Sequence, residues 1–373
     1  MKISCTKENL TQALALVGGV ANKNVNLPIL GNILIKANEQ TIEIVATNLE
    51  LAVISHLRGV VEAPGSFTVP ARTLIDFVNL LSGEKIDLEL QENELVVTCG
   101  KSATKIKGSS SEEFPVIPAA DQGQGFLVEA EELKRGLNQV TPALARNDIR
   151  PELAGVFFGF NTPNYAGLVL ASTDSYRLAE KKIKTLQGKE EFKIIVPGRT
   201  AQEMSRILSA ISGETEKNVR LLVSINQLVL NYDGVQMISR LVDGQYPDYG
   251  QIIPKEFRTT AKFSAAQMTK EIKAASLFTT TGVNAISFAL NSEHGTISVS
   301  STSTQTGEYN SELAGEVTGE NNSILLNHRY LLDGLNNIPG DAGVFKMINA
   351  DSPCLFTAEG DESFLYIVMP IRQ

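Results

Sequence analysis

The side chains that could do chemistry in this 373-residue chain are few and far apart. There are three cysteines (Cys5, Cys99, Cys354) and three histidines (His56, His294, His328). No two cysteines stand in C-x-x-C spacing, and no two histidines have the spacing that sets both on one metal. An odd, sparse cysteine count is that of free thiols in a reducing compartment, not of a disulfide framework. No GxxxxGK[ST] loop and no nucleophile elbow occur. Asp174, three residues before Arg177, is the one juxtaposition that suggests acid–base work. Without histidine, cysteine or further acids at mutual spacing it makes no reaction centre. The pattern points to a binding protein with no cofactor and no metal.

The elements that carry these residues repeat. Four landmarks recur three times in the same order. The first is a short strand running into an amphipathic helix: MKISCTKENLTQALALV, FLVEAEELKRGLNQV and AKFSAAQMTKEIKAA, with Leu10, Leu133 and Met268 equivalent. Ser264 three residues before Gln267 has capping-box spacing, and Glu129, Glu131 and Glu132 suit the positive end of a helix dipole. The second is a strand ending in threonine plus a polar residue, at Thr47, Thr173 and Thr302. The third is a strand, a turn and a second helix with an arginine at its start: Arg72, Arg199 and Arg329. The fourth is a β-meander closed by Pro115, Pro247 and Pro370. Pro/Gly-rich connectors at Pro118–Gly125 and Gly250–Lys255 divide the copies into 1–124, 125–253 and 254–373. Each copy has two helices and about eight strands, an α+β fold in three tandem repeats.

Length and composition agree, with 43% hydrophobic and 20% charged residues. The N-terminus imitates a signal peptide, but Glu8, Asn9, Thr11 and Gln12 interrupt its apolar run and the leucine spacing is helical. No run is long and apolar enough for a membrane span, so no membrane partner and a cytoplasmic location are expected. An exported β-repeat adhesin, the rival reading, calls for an export signal, exposed aromatics and disulfides that this chain lacks. A net charge of −9 argues against nucleic-acid binding until it is divided by element. The helical windows 7–23, 70–83, 131–150, 197–213, 266–280 and 327–340 net +4, and the remainder carries −13. Amphipathic helices leave a polar face free. A row of such domains leaves unpaired sheet edges at its ends, which a closed ring of two chains would remove. Basic helices lining an acidic ring would admit DNA without strong adhesion.

The same landmarks resemble the bacterial DNA polymerase III β subunits, the replicative sliding clamps. The resemblance runs from Met1 to Gln373 and is most specific at LPILGN (27–32), VPAR (69–72), TDSYRLAE (173–180), LVDGQYPDY (241–249) and VMPIRQ (368–373). It implies a head-to-tail homodimeric ring, helices facing the hole, around duplex DNA without sequence preference. It also implies an ATP-driven clamp loader, and replicative and repair polymerases as partners held by clamp-binding peptides. The implied peptide pocket comprises Leu153, Thr173, Ser175, Tyr176, Arg177, Leu178, Pro247, Ile252, Val368, Met369, Pro370 and Ile371, with Arg372 at its rim. Ser175-Tyr176 and Gly250-Gln251 depart from glycine-histidine and arginine in other members, so the peptide preference is expected to differ. DNA-facing candidates are Lys23, Arg72, Arg146, Arg150, Arg199 and Arg206, acting on phosphates rather than bases. Ile106 and Leu277 align with apolar contacts of the dimer seam.

Overall fold

The computed structural model describes residues 1–21, 25–118, 123–147, 149–211, 216–280 and 282–372. Six helices alternate with β-meanders in the order the repeat requires: α1 (Lys7–Gly18), α2 (Ala71–Leu80), α3 (Ala130–Val140), α4 (Gly198–Ala210), α5 (Ala265–Ser276) and α6 (His328–Leu335). Each copy contributes two helices and nine described strands, one more than expected. The first strand of the second copy begins at Gln124, one residue before the expected boundary.

Local sequence accounts for the helix ends. The Thr6 and Ser264 hydroxyls accept from the free amides of Asn9 and Gln267, and the Asn327 side chain accepts from Arg329. The buried stripes follow helical spacing, with Leu10, Leu14 and Val17 in α1 and Leu133, Leu137 and Val140 in α3. The second landmark's strands end at Thr47, Thr173 and Ser303, and only two of the three fold back alike. Thr47 and Thr173 both fold back on the turns that follow them, whereas in the third copy Ser303, not the exposed Thr302, is buried and accepts from Gln305.

The strands do not keep to their own copies. One compact unit holds residues 1–131, 185–188 and 203–241. It contains a five-stranded sheet and a nine-stranded sheet in which Leu51–His56 of the first copy pairs with Val235–Arg240 of the second. The other unit holds residues 132–184, 189–202 and 242–373. Its nine-stranded sheet is joined where Arg177–Ile183 of the second copy pairs with Asp361–Val368 of the third. A four-stranded sheet ending in Gly307–Ala314 completes it. In this second unit α6 lies close on the sheet because residue 334 is glycine; a Cβ there would stand 2.4 Å from the Tyr366 ring. That approach sets up the candidate site.

Candidate partner-binding cleft

The site is built on a tight turn. Thr173 ends one strand and Arg177 begins the next, and a set of side-chain-to-backbone hydrogen bonds closes the turn between them. Thr173 Oγ1 donates to the Arg177 carbonyl (2.6 Å) and accepts from Ser175 N (3.1 Å). Asp174 Oδ1 accepts from the amides of Tyr176 and Arg177, both at 3.0 Å. The turn holds Ser175 in the left-handed region (φ 76°) and leaves Tyr176 62% exposed.

Arg177 turns inward, its side chain only 2% exposed. Nε donates to Asp174 Oδ2 (3.0 Å), Nη1 to Asp333 Oδ2 (2.5 Å) and, more weakly, to Tyr366 Oη (3.4 Å). The guanidinium also lies 4.5 Å over the Tyr330 ring. Burial opposes its charge, but Tyr366, Asp333 and Asp174 more than offset that, and its pKa is raised. The group is a permanent cation. An arginine held between two carboxylates with its pKa raised further cannot exchange a proton with Asp174, which removes the acid–base reading of this pair.

Around the turn opens a cleft of ≈570 Å³. Of the residues expected in a peptide pocket, Leu153, Ser175, Tyr176 and Arg177 line it. Arg146 and Arg150, expected at the DNA, open into the same cleft. The other side is formed by Asn284, Asn327, Arg329, Tyr330 and Asp333. Sequence reasoning missed most of that wall. Arg329 marked a helix start, and Tyr330 and Asp333, one and four residues further along α6, were within reach of the same argument.

The remaining expected pocket residues do not line this cleft; they lie around and under it. Leu178 and Val368 are fully buried and Thr173 nearly so. Leu178 packs with Leu355 and Ile367, and Tyr249, Ile253 and Phe257 cover that cluster. The connector after Pro247 is thus docked by its apolar side chains. Tyr249 opens a short 3-10 turn, Tyr249–Ile252, in which Ile252 keeps 36% of its surface exposed. Tyr249, Tyr246 and Phe157 form an aromatic cluster with ring centroids 5.3–6.2 Å apart. The C-terminal residues are stitched beside the turn. Met369 N donates to the Tyr176 carbonyl (2.9 Å) and Ile371 N to the Leu325 carbonyl (2.8 Å). Pro370 stands between them, half-buried, and Arg372 is exposed.

Of the other DNA-facing candidates, Arg72 and Arg199 are exposed near the starts of α2 and α4, Arg72 within 3.6 Å of Asp76. Arg206 is committed inside its own unit. Its Nη1 and Nη2 donate to the carbonyls of Ala15 (2.7 Å) and Leu16 (2.6 Å) at the end of α1, with Glu203 at 2.6 Å. A cation there suits the negative end of the α1 dipole. Lys23 lies outside the described residues. Of the two seam candidates, Leu277 is 69% exposed, but Ile106 is only 5% exposed and already packed within its own unit. The cysteines are all buried, and burial together with Asp87 pushes the Cys5 thiol up to about 11. Among the described residues no cluster of His, Cys, Asp or Glu could hold a metal, and no helix is long and apolar enough to cross a membrane.

Fold and site together define a three-copy scaffold with a charged cleft, and comparison with known proteins says which one. Models of the N-terminal, central and C-terminal domains of the DNA polymerase III beta subunit match residues 1–118, 127–248 and 250–372. The chain belongs to this family, the sliding clamps of bacterial DNA replication, which are processivity factors and not catalysts. It is 28% identical to the beta sliding clamp of Synechococcus elongatus, covering 100% of this chain and 99% of that one. It is 26% identical to that of Streptococcus pneumoniae strain R6, over 99% and 98% of the two chains. A Pseudomonas aeruginosa sliding clamp solved bound to griselimycin superposes with a TM-score of 0.92 at 26% identity, covering both chains completely.

Proposed function

We propose that this clamp works as a closed ring of two head-to-tail protomers around duplex DNA, and that the cleft beside Tyr176 holds the clamp-binding peptides of its partners. The three copies, 1–124, 125–253 and 254–373, then give six domains in the ring. Two free sheet edges of opposite charge carry the reading. The edge strand Ser102–Lys107 with its approach exposes Lys101, Lys105 and Lys107; the edge strand Gly307–Ala314 exposes Glu308 and Glu312. Antiparallel pairing of the first edge with the second edge of another protomer satisfies both rows of backbone groups and matches their charges. Leu277, on the same unit as the acidic edge, supplies exposed apolar surface for the seam.

Arg72 and Arg199 are the cations for the phosphates, weak enough individually for the ring to slide. The ring contributes effective concentration, keeping a weakly bound polymerase beside its template. An ATP-driven loader opens it onto DNA, and both act in the cytoplasm.

Retention on nicked circular plasmid tests the reading. The clamp is loaded with ATP and a lysate of the source cells, gel-filtered in high salt, and the plasmid is then cut once. Salt screens phosphate contacts, so protein that stays on the circle and leaves the linear form is topologically linked. Loss in salt before cutting, with a loader control working, overturns the ring.

A further inference from the structure

Among the described residues, the cleft carries more positive charge than its own acids neutralise. Of its four arginines, Arg177 is held by Asp174 and Asp333, and Arg150 by Glu152 at 2.9 Å. Arg146 and Arg329 are exposed and make no ion pair among the described residues. They enter from different elements, Arg146 from the loop after the 3-10 turn Thr141–Ala143 and Arg329 from the first turn of α6. The same cleft holds two exposed apolar side chains, Ile149 (84%) and Tyr176 (62%). An apolar foothold and two guanidiniums without an ion pair among the described residues, in one cleft, suit a segment that sets carboxylates next to a hydrophobic anchor.

We propose that the partner segment taken by this cleft is acidic, with carboxylates flanking its apolar anchor, and that Arg146 and Arg329 select them. This rests on the partner-cleft reading and adds the chemical class of the peptide. The planar guanidinium matches a carboxylate through two parallel hydrogen bonds, so it orients the segment as well as attracting it. Two such groups on different elements act on both sides of the anchor. A segment carrying lysines there meets repulsion, and a neutral one leaves both arginines to water.

The test uses the full-length clamp and three fluorescein-labelled dodecapeptides sharing a leucine–phenylalanine core, flanked on each side by two aspartates, two asparagines or two lysines. The aspartate peptide is expected to bind about tenfold more tightly than its asparagine isostere, with the gap closing as salt rises. In the double variant Arg146→Gln/Arg329→Gln the gap is expected to fall to about twofold or less. In Arg146→Glu/Arg329→Glu the lysine peptide is expected to become the better ligand. All four substitutions are at exposed positions and leave the turn intact. Equal binding of the aspartate and asparagine peptides, lost on deleting Met369–Gln373, overturns acidic selection while leaving the cleft as the peptide site. An acidic preference unchanged in the glutamine variant overturns the assignment to Arg146 and Arg329. Binding that survives the deletion, or no binding by any peptide, overturns the cleft reading and this inference with it.

Discussion

Two turns of the molecule share one backbone and differ in nearly everything they present. At Thr47–Leu51, Thr47 Oγ1 donates to the Leu51 carbonyl (3.1 Å) and accepts from Leu49 N (3.1 Å), while Asn48 Oδ1 accepts from Glu50 N and Leu51 N. At Thr173–Arg177 the same four hydrogen bonds recur with Asp174 in place of Asn48. The third residue is left-handed in both, Leu49 at φ 78° and Ser175 at φ 76°. Even the neighbouring strand is copied. Arg240 N donates to the Glu50 carbonyl at 2.8 Å, and Met369 N to the Tyr176 carbonyl at 2.9 Å. Yet the residue that closes the first turn, Leu51, is a buried apolar side chain, whereas Arg177 is a buried cation with two acidic partners. The backbone device is inherited with the repeat, and the side chains at its third to fifth positions decide whether it is plain core or the mouth of a charged cleft.

Giving the second turn the first turn's side chain is the strongest way to break this comparison. Arg177→Leu strands Asp174 and Asp333 and is expected to cost on the order of 3–5 kcal/mol in urea unfolding. Adding Asp174→Asn and Asp333→Asn should return part of that loss; if the triple variant is no more stable than the single one, the charges are not what Arg177 supports. Next in size, Thr47→Val and Thr173→Val each orphan an amide and should each cost about 1–3 kcal/mol. Unequal costs would show that the two turns are alike in geometry but not in energy. A smaller gain is expected from Leu49→Gly, about 1 kcal/mol, because a leucine in the left-handed region is strained and glycine is not. An unchanged or lowered melting temperature would mean that the Leu49 side chain earns its place by packing.

The smallest effect is pH-linked and belongs to the charged side alone. Burial, then Arg329, holds the His328 pKa below its ordinary value of about 6.5. Below that pH the unfolded chain binds a proton that the folded chain refuses. Stability attributable to His328 is therefore complete above about 6.5 and declines as pH falls toward the folded value. His328→Gln should flatten the decline between pH 6.5 and 5; an unaltered slope would assign it to other groups.

The repeat made most of the fold legible. Helix starts at Lys7, Ala130 and Ala265 lie within two residues of the expected ones because caps and apolar spacing are local signals. Pairing between copies was not legible, since nothing in the alternation of Arg177–Ile183 says that its partner is Asp361–Val368, some 180 residues away. The site was read in part. Ser175, Tyr176 and Arg177 stand in a short recognisable stretch, and they do line the cleft. Asp333 and Tyr366 come from distant elements, and only tertiary packing, with Gly334 letting α6 settle on Tyr366, brings them to Arg177. The intramolecular contacts of Ile106 and Arg206, which the sequence did not suggest, share one cause. A sequence shows that a side chain is apolar or charged, but not that a neighbour in the same protomer has already taken it.

The pairing of Leu51–His56 with Val235–Arg240, and of Arg177–Ile183 with Asp361–Val368, has a mechanical side. Neighbouring copies are welded along a strand rather than hung from a thread, so the peptide connecting them carries little of any load. A single protease nick in either connector would leave the severed copies gripping one another edge to edge. Such a nicked chain would run as fragments in denaturing gels and as one particle without denaturant, and its former connectors would be natural places to open new termini.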